Sequence, residues 1–216
     1  MKKFTDLNTN LENPELIDFI SRLGFSRIAY KKKIEKNKKI DIVSSLNIKP
    51  KNIGSLLKEV KTNRRKYEFI SVTCTSKKVA RKAGRDHRID GIKFPIDSLV
   101  NFDYHQANLM KKSGSALMID IVDLLEMNSF KLEKNIQSLH KQVRIAEKQD
   151  IPVILSSGAY EKYQLRTPRG IIALASLIQI DEDSATDMLT EIPNTIIDRN
   201  RSKLSDKYVS SGVWLV

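Results

Sequence analysis

Short apolar runs alternate with longer amphipathic stretches along this chain, and the two periods predict strands and helices in turn. The strand candidates are residues 4–7, 27–30, 40–47, 68–73, 91–94, 115–120 and 152–155. The helix candidates are residues 14–23, 50–61, 77–84, 103–113, 130–149, 168–179, 193–199 and a segment within 181–190. Pro14 and Pro50 fit first-turn positions, and Gly24 and Gly114 fit helix C-caps.

Strands that alternate with helices predict an α/β fold with a parallel sheet. Seven strands without a long crossover favour closure, so we expect an irregular, TIM-barrel-like β/α barrel with about seven mostly parallel strands. We expect one domain over residues 1–202, including the C-terminal helices, and a weakly ordered tail over 203–216. Asp6, Asn8, Asp120 and Ser156 should meet at the carboxyl ends of the strands.

The segment after the last predicted strand has the features of an anion site. Thr167 is a candidate N-cap and Pro168 fits the first helical position, so a helix should begin between Arg166 and Arg169. Helix N-termini favour anions, and guanidinium groups bind phosphate with two hydrogen bonds. Spacing alone does not separate this interpretation from two exposed arginines near an ordinary cap.

The net charge of +12 is unevenly distributed. Residues 1–100 hold 24 Lys and Arg against 11 Asp and Glu, whereas residues 101–216 hold 14 against 15. A basic half beside a neutral half predicts a surface for a polyanion. An aromatic content of 6% argues against a platform for stacked bases, so backbone recognition of folded RNA or of a duplex fits better.

The basic residues concentrate in the helix predicted over 77–84, which no acidic residue interrupts before Asp86. Cations four residues apart gather on one helix face, where they contact a nucleic acid or simply face solvent. Residues 31–39 and 64–66 are further basic segments of the same kind. The candidate RNA-binding residues are Lys77, Lys78, Arg81, Lys82, Arg85, Arg88, Arg166 and Arg169.

Other classes of protein are disfavoured. The single cysteine, Cys74, excludes an intramolecular disulfide and a cysteine-based zinc cluster. No apolar run approaches the ~20 residues of a membrane span, and no signal-peptide core follows the basic N-terminus, so we expect a cytoplasmic protein without a membrane partner. No paired histidines, Gly-rich phosphate loop or nucleophile elbow occurs. Asp6, Asp120 and Asp123 could together bind a divalent ion, or each could pair with an arginine or cap a helix.

Several segments resemble the archaeal ribonuclease P protein component 3 family, the counterpart of a eukaryotic ribonuclease P subunit. The most specific are LSSGA at 155–159 and LRTPRGIIALA at 165–175, with ATDML at 185–189 and PNTII at 193–197 behind them. FTDLN at 4–8 and DGIKF at 90–94 match more weakly. Family members usually have Ser at position 167 and Asp at 170, where this chain has Thr and Gly. Both changes are compatible with a helix N-cap at position 167.

The resemblance implies a barrel related to metal-dependent hydrolases but without their ligands. It implies a subunit of the ribonucleoprotein that removes the 5′ leader of precursor tRNA, with catalysis by the RNA and its bound Mg²⁺ and no cofactor in the protein. The implied partners are ribonuclease P RNA, protein component 2 and the other protein subunits, and precursor tRNA through the complex.

The residues are also compatible with two other functions. One is a stand-alone metal-dependent phosphoesterase that uses Asp6, Asp120 and Asp123. The other is a small-molecule enzyme that binds a phosphate at residues 156–158 and at the helix start between Arg166 and Arg169.

Overall fold

Seven parallel strands follow one another around the molecule in chain order. The computed structural model describes residues 2–9, 16–31, 39–96, 98, 100–125, 129–205, 208–210 and 213–214. The barrel strands are β1 (Thr5–Asp6), β2 (Arg27–Tyr30), β3 (Asp41–Ile48), β4 (Phe69–Thr73), β5 (Gly91–Lys93), β6 (Ala116–Asp120) and β7 (Val153–Ser156). All seven predicted strands are therefore confirmed, with shifts of at most one residue at their ends.

Helices cover the outside of this sheet, and the last of them covers the amino ends of its strands. They are α1 (Leu16–Arg22), α2 (Ile53–Asn63), α3 (Lys77–Ala83), α4 (Tyr104–Ser113), α5 (Val122–Leu125), α6 (Ser129–Lys148), α7 (Pro168–Ala175), α8 (Glu182–Leu189) and α9 (Glu191–Leu204). Lys162–Gln164 and Ser176–Ile178 form 3₁₀ turns. No helix in the described part of the chain is both long and apolar enough to span a membrane.

The barrel is nearly closed between its first and last strands. The Gly158 amide donates to the Asn8 carbonyl across this seam at 2.9 Å. The Ser157 amide donates to Oδ1 of Asp6 at 3.2 Å. These bonds connect the end of β1 and the residues just after it with the segment that follows β7, so the structure confirms the TIM-barrel-like fold.

The side chains inside the barrel form a separate apolar cluster from the layer between sheet and helices. It contains Leu7, Ala29, Val43, Phe69, Ala116, Met118, Ile154, Ile196 and Ile197. The last two come from α9, which lies across the amino ends of the strands and fills the barrel from that end. Polar contacts fix the helix there: Arg201 bonds Asp41 and Glu68, and Asn200 donates to Asp90 at 2.8 Å.

Some helix starts differ from the sequence-based expectation. α2 begins at Ile53, because Asn52 and Ser55 form a capping box, so Pro50 precedes the cap and the first-turn assignment was wrong. α9 begins at Glu191, ahead of the predicted 193. Gly24 and Gly114 have φ of 104° and 75°, which confirms their positions at helix C-termini. Pro14 lies outside the described residues.

The C-terminal part of the chain contains regular structure in the residues that are described. α9 continues to Leu204, past the predicted boundary at 202. Within the segment predicted as a weakly ordered tail, β8 (Tyr208–Ser210) pairs with β9 (Val213–Trp214) in antiparallel orientation.

Candidate functional site

The carboxyl ends of the barrel strands hold the polar cluster that the sequence predicts. Asp120, at the end of β6, is its centre. Its Oδ2 accepts a hydrogen bond from the Asn8 side chain at 2.7 Å, and its Oδ1 accepts one from the Ser156 hydroxyl at 2.6 Å. Asp6 lies beside it, so the four residues expected at this end do meet.

Lys93, at the end of β5, completes this cluster and was not among the sequence candidates. Its ammonium lies 2.5 Å from Oδ2 of Asp120 and 2.8 Å from Oδ2 of Asp123. Burial alone would lower the pKa of Lys93, but the two carboxylates outweigh it and raise the pKa above its usual value. The only sequence signal for this role was a lysine at the end of a buried strand, next to strands that end in aspartate.

Asp6 has an unusual environment within the same cluster. Its Oδ1 accepts bonds from the amides of Asn8 and Ser157, both at 3.2 Å, whereas Oδ2 is buried and accepts no hydrogen bond from the described residues. Burial raises the pKa of Asp6 to about 6. Within the described residues, no group of three or more His, Cys, Asp or Glu side chains is arranged to hold a metal ion.

Gly158 holds the chain against this cluster at the barrel seam. Its φ is +64°, and a Cβ at this position would lie 2.6 Å from Cβ of Asp120. Both facts require glycine, since an L side chain rarely adopts this φ and has no space here. The loop after β7 can therefore close over Asp120 only because residue 158 lacks a side chain.

The predicted basic helix is α3, and the cations of α3 and of the turn after it fall into two groups. Lys77, Lys78 and Arg85 are exposed, and Lys82 is partly exposed. Arg81 instead forms a two-point ion pair with Asp103 at 2.6 and 2.8 Å, which ties α3 to the start of α4. This contact, with the Gln106 amide bond, lowers the pKa of Asp103 to about 2.

Arg88 is also held by a carboxylate. Its guanidinium contacts both oxygens of Asp86, at 2.6 and 2.8 Å, and its side chain remains 33% exposed. Arg81 thus has a partner 22 residues away that spacing along the chain could not reveal, whereas the partner of Arg88 lies two residues before it.

Exposed cations lie on α3, on the neighbouring helix α2 and in the turns that follow these two helices. We call this set the α2–α3 basic surface; it comprises Lys58, Lys61, Arg65, Lys66, Lys77, Lys78 and Arg85. Three of the four acidic residues between positions 49 and 90 are held by arginines: Glu68 by Arg201, Asp86 by Arg88 and Asp90 by Arg64. The exposed charge here is consequently almost all positive. The basic segment at 31–39 lies mostly outside the described residues.

The start of α7 has the predicted local form. Thr167 is the N-cap, accepting from the Gly170 amide at 3.1 Å, and Pro168 occupies the first turn. Arg166 donates to the carbonyls of Tyr163 and Leu165 at 2.6 and 2.9 Å. Arg169 is exposed, and its side chain has no partner among the described residues.

The position of this helix start in the barrel differs from the expectation. The loop after β7 runs along α1, where the Lys162 ammonium lies 4.6 Å from the centre of the Phe19 ring. Pro168 then packs against Gly24, in the turn between α1 and β2. That turn leads into the amino end of a strand, so placing Arg166 and Arg169 beside Ser156 at the carboxyl ends was wrong.

Fold and site together define an α/β barrel whose strand ends enclose a lysine–aspartate ion pair and whose outer helices carry a cationic surface. The family model described as RNase P subunit p30 matches residues 4–205. The chain therefore belongs to the RNase P subunit p30 family.

Individual relatives agree with this assignment. The chain is 26% identical over 210 residues to ribonuclease P protein component 3 of Methanosarcina mazei, covering 92% of this chain and 87% of the relative. Among solved structures, it is similar to a chain in a cryo-EM structure of archaeal ribonuclease P with mature tRNA. The TM-score is 0.86 and the identity 21%, with 98% and 97% of the two chains covered.

The fold is also similar to that of an enzyme. A crystal structure of a Xaa-Pro dipeptidase with bound methionine in the active site matches with a TM-score of 0.57 and 9% identity. The match covers 93% of this chain and 76% of the dipeptidase. At this identity the likeness concerns the fold alone.

Proposed function

We propose that this chain is a protein subunit of ribonuclease P that binds the RNA of the enzyme through the α2–α3 basic surface and so supports removal of the 5′ leader from precursor tRNA. Family membership supports the enzyme assignment. The observation that carries RNA binding is the set of exposed cations on α2 and α3, beside acidic residues that arginines already hold.

The chemistry of this surface suits phosphates rather than bases. Lysine and arginine side chains that neutralise phosphates release counterions, which gives affinity without sequence specificity. We propose that Lys77, Lys78, Lys82 and Arg85 make such contacts directly. Arg81 and Arg88 contribute chiefly by holding α3 and the following turn in place through Asp103 and Asp86.

Arg169 is a second proposed phosphate contact, separate from the first surface. It is exposed in the first turn of α7, where backbone amides and the helix dipole add to its charge. Arg166 supports this turn from within, because its guanidinium is engaged with two carbonyls.

Catalysis in this proposal belongs to the RNA and its bound Mg²⁺, with no cofactor in the protein. Protein component 2 is the proposed direct partner, alongside other protein subunits. The ion pair of Lys93 with Asp120 and Asp123 supports catalysis by the RNA over the phosphoesterase alternative. Both carboxylates, which that alternative needs as metal ligands, are already paired with the Lys93 ammonium.

Reconstitution tests the proposal. Ribonuclease P RNA and component 2 are mixed with or without this chain, and precursor-tRNA cleavage is measured at low Mg²⁺. We expect the chain to raise the cleavage rate, and Lys77→Glu/Lys78→Glu/Arg85→Glu to reduce that effect strongly.

Lys141→Glu/Lys148→Glu is the matched control, since both lysines are exposed on α6, away from α2 and α3. An unchanged rate when the chain is added would refute the proposed role in the enzyme. Equal losses for the α3 and α6 variants would refute the assignment of RNA binding to the α2–α3 basic surface.

A further inference from the structure

The loop after β7 exposes two aromatic side chains that the proposed function does not use. Five large hydrophobic side chains are exposed among the described residues, and two of them, Tyr160 and Tyr163, lie three residues apart in this loop. Tyr160 is 52% exposed and Tyr163 is 71% exposed. Single exposed hydrophobic side chains need no explanation, whereas two rings so close in the chain mark a candidate binding surface.

Polar contacts hold the backbone that carries these two rings. The Gln164 side chain is 8% exposed, and its oxygen accepts from the amides of Tyr160 and Glu161 at 2.7 and 2.9 Å. On the other side of the turn, the Arg166 guanidinium donates to the carbonyl of Tyr163 at 2.6 Å. A tyrosine has only two rotatable side-chain bonds, so binding at rings on a backbone held in this way costs little conformational entropy.

The surroundings of the two rings are cationic. Residues 160–170 contain three cations and one acidic residue, namely Lys162, Arg166, Arg169 and Glu161. The bond from Arg166 to the Tyr163 carbonyl fixes one positive charge beside the second ring. Arg169 is exposed in the first turn of α7, a few residues further along the chain. Unpaired nucleotides combine a planar base with a negative phosphate, so a pair of rings edged by cations suits them better than it suits an apolar protein surface.

We propose that Tyr160 and Tyr163 stack on unpaired bases of the ribonuclease P RNA, while Arg169 contacts a phosphate of the same strand. The aromatic content of 6% is low for an extended stacking platform, but two rings are enough for a short unpaired segment. This inference rests on the proposed function and adds a second kind of contact to it. Stacking recognises unpaired nucleotides, whereas the α2–α3 basic surface recognises phosphates.

RNA binding by the full-length protein tests the inference. Affinity for ribonuclease P RNA is measured over a salt series with component 2 present, for wild type, Tyr160→Ala/Tyr163→Ala and Tyr160→Phe/Tyr163→Phe. We expect the alanine variant to bind about fivefold or more weakly, because it loses the stacked bases. The phenylalanine variant keeps both rings and should bind as wild type does. The salt slope should stay unchanged in both variants, since neither removes a phosphate contact.

Tyr104→Ala is the matched control, because Tyr104 is a 50% exposed tyrosine at the start of α4, outside this loop, and its loss should leave RNA affinity unchanged. An equal loss of affinity in Tyr104→Ala would overturn the assignment of stacking to the loop after β7. So would a phenylalanine variant that binds as weakly as the alanine variant, because the hydroxyls and not the rings would then make the contact.

The Tm of the alanine variant should equal that of wild type, since both rings are exposed. If its Tm falls, the single variant Tyr160→Ala decides by the same criteria. A fall in Tm there as well would show that the rings serve the fold, and it would overturn the inference.

Other occupants of the loop give different results in the same experiments. Weaker binding of the alanine variant to component 2 without RNA would identify a protein contact and overturn the inference. A raised KM for precursor tRNA with unchanged affinity for ribonuclease P RNA would place the rings on the substrate and overturn it too. If wild type supports cleavage and Lys77→Glu/Lys78→Glu/Arg85→Glu impairs it while the tyrosine variants do not, stacking is refuted and the proposed function is not.

Discussion

Arg81 lies in α3 and Arg85 lies in the turn directly after it, yet the structure predicts different consequences for their removal. Arg81 is held by Asp103 at two points, whereas Arg85 is exposed and has no ion-pair partner in the described part of the chain. We expect Arg81→Ala to lower stability and Arg85→Ala to lower RNA affinity.

The magnitude for Arg81 follows from the exposure of the pair. Its side chain is 17% exposed and that of Asp103 is 44%. Hydrogen bonds to charged groups contribute about 1.5–3 kcal/mol and fully exposed ion pairs about 0–1 kcal/mol. We therefore expect Arg81→Ala to lower the free energy of unfolding by about 1–2 kcal/mol, or Tm by about 2–8 °C.

The pH dependence gives a second, independent signature. Arg81 helps to depress the pKa of Asp103 to about 2 in the folded state. A depressed carboxyl pKa stabilises the fold above the unfolded pKa, about 4, and this contribution is lost as pH falls from there to 2. The stability difference between wild type and Arg81→Ala should thus be constant near neutral pH and shrink below pH 4.

Urea unfolding between pH 7 and pH 3 measures the difference in stability between wild type and Arg81→Ala. RNA binding over a salt series, with component 2 present, measures the change in RNA affinity. Arg85→Ala should weaken RNA binding by up to about fivefold and reduce the salt slope by about 0.7–0.9, with stability unchanged. The reasoning fails if Arg81→Ala weakens RNA binding as much as Arg85→Ala does while its unfolding free energy stays at the wild-type value.

Three further predictions concern other parts of the molecule. Ile197→Ala should lower the unfolding free energy by about 2–5 kcal/mol in denaturant titrations, because this fully buried α9 side chain fills the barrel; a loss below 1 kcal/mol would contradict that packing. Gly158→Ala should lower Tm clearly, since it combines a left-handed φ with a clash at Asp120, and an unchanged Tm would exclude the described seam. Arg169→Ala should reduce holoenzyme activity with Tm preserved, whereas Arg166→Ala should lower both; a loss of Tm in Arg169→Ala would argue against a phosphate contact there.

Apolar patterning predicted the elements of this fold well, because strands such as β4 and β6 are buried along their whole length and give short, mostly apolar runs. The same reasoning predicted that the polar residues at the carboxyl ends of the strands lie close together. Asp120 and Ser156 come directly after such runs, and parallel strands in chain order must bring their carboxyl ends together.

Contacts between side chains distant in the chain were beyond this reasoning. The partner of Arg81 lies 22 residues away and serves as the cap of another helix. In the sequence, Lys93 is one of many lysines in the basic half, and only the arrangement of the strands brings it against Asp120. The path of the loop after β7 depends on packing against α1, and no local signal in residues 157–167 encodes that path.

The two ends of the barrel are both closed from within, and this restricts where a partner can bind. At the amino ends of the strands, α9 inserts Ile196 and Ile197 and is fixed by Arg201. At the carboxyl ends, the Lys93 ammonium forms ion pairs with Asp120 and Asp123. The outer helices and the turns after them remain accessible, and the exposed cations of the α2–α3 basic surface lie there. An RNA phosphate backbone, which is large and needs no deep pocket, is the kind of partner that such an exterior accommodates.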